Sequence, residues 1–111
     1  MYFMESHQEI DRRSLILAKA IVNRIDSDPE RKGLEKARRN CRRWLADRND
    51  RALLEWLGIL DKSWAEIRLI LLDESEKGKR LRQSTPFCGV LSPQERWDIY
   101  RNFNPDETAG S

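Results

Sequence analysis

Two Ser-x-x-Glu boxes, Ser63–Glu66 and Ser92–Glu95, constrain this chain more than any other feature. In each, the serine hydroxyl can accept from the N–H three residues on. The glutamate carboxylate can reach back to the serine N–H, so both mark helix starts. The second box adds Pro93 at the first helical position, where a missing N–H costs nothing. Around these starts apolar residues recur every three or four positions, and no stretch alternates long enough to make a convincing strand. The expected fold is all-α: a small single-domain bundle of about five helices over residues 1–103, with 104–111 a loose polar tail.

The first helix is expected over about residues 9–25, where Leu17, Ala18, Ile21, Val22 and Ile25 share a face. Asp28 reads as the cap of a second helix, with Pro29 as its first residue and its end near Arg48. That helix carries a narrow apolar stripe of Leu34, Ala37, Cys41, Trp44 and Leu45. Asn49-Asp50 ends it and can cap a third helix, about 51–60. A fourth follows from the Ser63 box to about Leu72. Both are apolar on most sides, which predicts a central helical hairpin. Residues 73–78 read as a polar breaker, and Lys79–Gln83 as a short helical turn. The last helix runs from Pro93 to Phe103, with Trp97, Tyr100 and Phe103 on one face.

Charge shapes the functional reading. The chain has 111 residues, 36% of them charged, and a net charge of only +2, so the distribution matters more than the sum. No run approaches the roughly 20 apolar residues of a membrane span. No basic n-region and apolar core suggest a secretory leader, so a cytoplasmic location is expected. Cys41 and Cys88 form no metal-ligand spacing and are expected as free thiols. The only histidine is His7, which leaves Cys88 without a neighbouring base in sequence. The acidic residues Asp73, Glu74 and Glu76 lie in the polar breaker, and the five glycines are isolated rather than gathered in a phosphate loop. The chain is expected not to be an enzyme, with no cofactor and no metal.

The second helix holds the strongest binding signal. Between Arg31 and Arg48 there are eight basic residues and two acidic ones. At 100° per residue, all the basic ones except Arg48 fall opposite the Leu34/Cys41/Leu45 stripe. Such a face suits phosphates or an acidic protein surface. It suits equally a solvated face in which Glu35 serves its neighbouring arginines. The third and fourth helices resemble a helix-turn-helix in outline. The would-be recognition helix, however, offers Trp64, Ala65, Glu66, Ile67, Leu69 and Ile70 with Arg68 as its only cation, which is poor chemistry for base edges.

Near the C-terminus, Pro86 and Gly89 turn the chain and hold Phe87 between Arg80 and Arg82 on one side and Arg96 on the other. Phe87 can clip the last helix to the core, or it can serve as an aromatic anchor for a partner. The run Arg80-Leu-Arg-Gln-Ser-Thr-Pro-Phe-Cys-Gly-Val-Leu-Ser-Pro-Gln-Glu-Arg-Trp97 resembles a recurring LRQSSPFAGVLSPRERW string. That string lies at the C-terminus of short bacterial all-α proteins of uncharacterised function. The resemblance implies a bacterial source and an association with two-gene modules of toxin–antitoxin type. It brings no catalytic residues, and Cys88 stands where the string has a small residue.

The leading expectation is a non-enzymatic interaction or regulatory protein, antitoxin-like, that binds a partner protein. The alternative is a nucleic-acid-binding protein using the basic second helix. A homo-oligomer built on exposed tryptophans is a further option. The residues expected to bind are Arg31, Lys32, Arg38, Arg39, Arg42, Arg43, Arg80, Arg82 and Phe87.

Overall fold

Helices account for most of the chain in the computed structural model, which describes the backbone of residues 2–103 and the side chains of residues 10–101. Six helices follow in order: α1 (Tyr2–Asp26), α2 (Lys32–Asp47), α3 (Arg51–Ile59), α4 (Trp64–Leu71), α5 (Glu76–Gln83) and α6 (Pro93–Phe103). No strand occurs among the described residues. The segment expected to be a loose tail, 104–111, lies outside them. The first helix is longer than its periodicity suggested and takes in the arm before Glu9.

Both Ser-x-x-Glu boxes form. Ser63 Oγ accepts from the Glu66 N–H at 3.2 Å, and Ser92 Oγ from the Glu95 N–H at 3.1 Å. The two glutamates accept from the serine N–H groups in return. Asp50 caps α3 as expected, accepting from Ala52 and Leu53.

The start of α2 differs from expectation. Asp28 closes a turn by accepting from the Glu30 N–H at 3.0 Å and the Lys32 N–H at 2.8 Å. Pro29 therefore sits in that turn, and the helix opens only at Lys32. Arg31 takes a left-handed conformation, φ 50° and ψ 49°, which is costly for a residue with a Cβ. Its guanidinium bonds the Ile25 carbonyl at 3.3 Å and stacks over Trp64, contacts that hold the conformation.

The additional helix, α5, contains the short turn expected over Lys79–Gln83 and starts three residues earlier, a start masked by Gly78. Ser75 caps it, and Gly78 lies buried in its first turn. A Cβ there would meet the Asp73 carbonyl oxygen at 2.0 Å, so the glycine marks close packing rather than a break.

The centre of the bundle is α1, not a hairpin of α3 and α4. Helix α1 packs on α2, α4, α5 and α6, while α3 packs on α2 and α4 on α5. Length explains the correction. Helices α3 and α4 have nine and eight residues, each burying one face and leaving Leu54 and Leu69 in solvent. Side chains from α1 to α5 and the loop after α5 form one core, with Trp56, Phe87, Ile25 and Ile67 among its fully buried members. Each such burial stabilises by about 1.5–3 kcal/mol. Cys41 belongs to this core. Its Sγ donates to the Leu53 carbonyl at 3.1 Å and burial pushes the thiol pKa up, so it packs as a small apolar group. Neither cysteine is in a disulfide.

Candidate polyanion interface

Helix α2 divides its basic residues into two sets. Lys32, Lys36, Arg39 and Arg43 stand at i, i+4, i+7 and i+11. They fall within about 60° of one another and span about 16 Å of helix axis. Arg42 flanks this line. The helix buries its other side through Leu34, Ala37 and Cys41, so the line faces away from the core.

A shallow groove runs beside the line. Lys36, Arg39, Arg42 and Arg43 line it from α2, Cys88 and Gly89 from the loop after α5, with Asn40 between. Asn40 was not anticipated from sequence, and it holds the groove together. It is 6% exposed, and its Nδ2 donates to the Pro86 and Cys88 carbonyls, both at 3.0 Å. Its Oδ1 accepts from Arg43 Nη2 at 3.1 Å, which ties that arginine's direction to the loop. Gly89 has φ 83°, and a Cβ would lie 2.7 Å from Lys36 Cε. Glycine thus lets the lysine stem lie across the loop.

Among the described residues, no carboxylate comes within 4 Å of Lys36, Arg39, Arg42 or Arg43. Glu35 serves its neighbour Arg38, as the solvated-face alternative expects, and is paired with none of the four groove cations. Lys32 pairs with Glu30 at 3.4 Å, but both side chains are about three-quarters exposed and the pair contributes little. The arrangement is a short row of cations held apart from compensating charge, beside a backbone loop.

The remaining basic residues expected to bind have internal work. Arg31 bonds the Ile25 carbonyl at the end of α1. Arg38 donates through Nε at 3.1 Å and Nη2 at 3.0 Å to the Leu60 carbonyl, the end of α3. Arg82 donates to the Leu71 and Asp73 carbonyls at the end of α4 and to Ser14 Oγ. Each guanidinium therefore caps a helix C-terminus, satisfying orphan carbonyls at the negative end of the dipole. Arg80 forms a two-point pair with Glu55 at 3.1 and 3.3 Å, linking α5 to α3.

Phe87 is also removed from the surface. It is 1% exposed and packs edge-on against Trp56, ring centres 5.8 Å apart. Trp56 Nε1 donates to the Leu81 carbonyl at 2.9 Å, fixing the partner ring. An aromatic anchor for a partner is therefore not available at this position. The exposed aromatic nearby in sequence is Trp97, at 59%.

Within the described residues, no three His, Cys, Asp or Glu side chains converge to hold a metal, and no helix is long and apolar enough to cross a membrane. The chain matches no protein-family model, no curated protein and no solved structure.

Proposed function

We propose that this chain is a non-enzymatic binding protein whose working surface is the outer line of α2, and that this surface grips nucleic-acid phosphates. The observation that carries the reading is the row Lys36, Arg39, Arg42 and Arg43, set beside the Cys88–Gly89 loop with no described carboxylate within salt-bridge distance. A tight protein–protein surface is built around buried aromatic anchors. Of the two aromatics adjacent to this groove in sequence, Phe87 is in the core and Trp44 is half-buried against it with Arg48 over its ring. What faces outward beside the loop is cationic, which suits a regular polyanion read by charge rather than by base edges.

Anisotropy of labelled short duplexes and single-stranded RNA, titrated with the protein across a salt series, tests this. With about three or four phosphates neutralised, log affinity should fall against log salt with a slope near −3. Arg39→Glu with Arg43→Glu should abolish binding, while the fold loses only the Arg43–Asn40 hydrogen bond, about 1 kcal/mol. Absence of binding at the lowest salt, or a slope near zero, would overturn the reading.

A second reading, an antitoxin-like protein that docks a partner protein, has its own support. Trp97 and Leu69 are exposed at 59% and 69%, and the residue 80–97 string resembles those of short bacterial proteins. Co-expression with the product of the neighbouring gene, followed by co-purification of wild type and Trp97→Ala, separates the two readings. Loss of capture in Trp97→Ala alone would favour the protein partner.

A further inference from the structure

The loop that closes the α2 groove also bounds a second space, with different chemistry. A cavity of about 120 Å³ lies between α1, the end of α4 and the 85–91 loop. Its walls include Leu17, Ala18 and Ile21 of α1, Leu71 of α4, and Phe87 and Leu91 of the loop. All but Leu17 are buried, and Leu17 packs against the same core. An apolar space of this size is comparable to the engineered cavity of about 150 Å³ that takes benzene.

Two basic residues, Arg82 and Arg96, are among those that line the same cavity, together with Ser14 and Thr85. Arg82 is 6% exposed. Its Nε donates to Ser14 Oγ at 3.0 Å and its Nη1 to the Leu71 and Asp73 carbonyls. These acceptors are all uncharged, and the Nη2 donors have no acceptor among the described residues. No described carboxylate lies within 4 Å of either arginine. The direct acceptors of Arg82 are neutral, and Asp73, Asp11 and Glu74 act on it only from beyond salt-bridge distance. A guanidinium this far from water attracts an anion more strongly than one in water.

We propose that this cavity binds a small organic carboxylate with an apolar body about the size of a benzene ring. The body fills the space against Ala18, Ile21 and Leu91, and the carboxylate lies toward Arg82 and Arg96. Guanidinium favours this anion because its planar donors match two carboxylate oxygens at once. A doubly charged phosphate suits the walls less, since more charge would leave water for an apolar enclosure. The site is separate from the α2 line, which has no apolar enclosure of this kind.

Benzoate is the probe. Titrated into the full chain and followed by NMR, it should shift the methyl signals of Ala18, Ile21 and Leu91. Benzyl alcohol has the same ring without the charge, and acetate the charge without the ring. Both should bind at least about tenfold more weakly. Ala18→Leu extends a side chain into the cavity and should weaken benzoate about tenfold. Arg96, on the exposed side, can be changed to Gln without opening the core, and it should weaken benzoate while leaving benzyl alcohol unaffected. Equal binding of benzoate and benzyl alcohol would reduce the site to an apolar cavity and overturn the proposal. Equal binding of benzoate and acetate would reduce it to a charge patch, with the same consequence. No shift up to the solubility limit of benzoate would also overturn it. If Ala18→Leu fails to fold, Arg96→Gln carries the comparison.

Discussion

The loop at residues 84–92 and the outer line of α2 are both dense in strongly interacting side chains, yet they use them in opposite directions. In the loop, Pro86, Phe87, Val90 and Leu91 are buried, and Ser92 with Glu95 starts α6. Glu95 also pairs with Arg24, tying that helix to α1. On α2, Lys36, Arg39, Arg42 and Arg43 point to a groove and have no described carboxylate beside them. Specification in the first region is spent on folding. In the second it faces outward, where the proposed polyanion would meet it. Asn40 joins the two, with its amide on the loop carbonyls and its oxygen on Arg43.

Mutations should separate the regions sharply. The largest effect belongs to Phe87→Ala, which empties the core beside Trp56 and should cost about 3–5 kcal/mol in urea unfolding. Asn40→Ala strips the buried Pro86 carbonyl and the part-buried Cys88 carbonyl of a donor and should cost about 1–3 kcal/mol, with weaker polyanion binding because Arg43 loses its support. A neighbouring pair on α2 sharpens the comparison further. Arg38→Ala removes the cap on the Leu60 carbonyl and should cost about 1–2 kcal/mol. Arg39→Ala, one residue on, should stay within about 0.5 kcal/mol of wild type and weaken nucleic-acid binding instead. Equal destabilisation by the two would break the division of α2 into structural and free arginines. Ser92→Ala should cost about 1 kcal/mol through the lost cap of α6.

The smallest effect is a dependence on acid. Hydrogen bonds from Trp64 and Arg68 hold the Asp26 carboxyl below its ordinary value, and those from the Lys32 and Glu30 N–H groups do the same for Asp28. Arg80 lowers Glu55, Ser63 lowers Glu66 and Ser75 lowers Asp73. With these folded values below the unfolded ones, the folded chain binds fewer protons. The stabilisation is complete above about pH 4–5 and is lost as pH falls through the lower folded values. Thermal melts from neutral pH down to about pH 3 should show that loss, and Asp26→Asn should reduce it. Charge reversal at Arg39 and Arg43 should leave the acid profile as it is. Melts that stay flat on acidification would refute the expectation.

Much of the fold was legible because its signals are local. Capping boxes at Ser63 and Ser92, the Asp50 cap and the helical spacing of Ile21, Val22 and Ile25 depend on neighbours in sequence, and each appears where expected. Errors arose where one local signal fits two structures, or where the packing of whole elements decides. Gly78 looked like a breaker until the Asp73 carbonyl was brought against it. Asp28 looked like a helix cap, but it closes a turn that forces Arg31 into a left-handed conformation. Helices α3 and α4 looked central by composition, yet eight or nine residues cannot bury all their faces once α1 occupies the middle.

The candidate site divides along the same line. Helical periodicity places the expected Lys32, Arg39 and Arg43 on one line of α2 with Lys36, which was not among the residues expected to bind, because an α-helix brings i, i+4, i+7 and i+11 together whatever surrounds it. Only the tertiary structure decided which cations remain outside. Arg31, Arg38 and Arg82 carry the same charge and lie in equally basic stretches, but the ends of α1, α3 and α4 present carbonyls with free acceptor capacity within their reach. Every helix end leaves orphan carbonyls, and which side chain meets them is a property of the packed chain. No sequence spacing reveals which arginine will meet them.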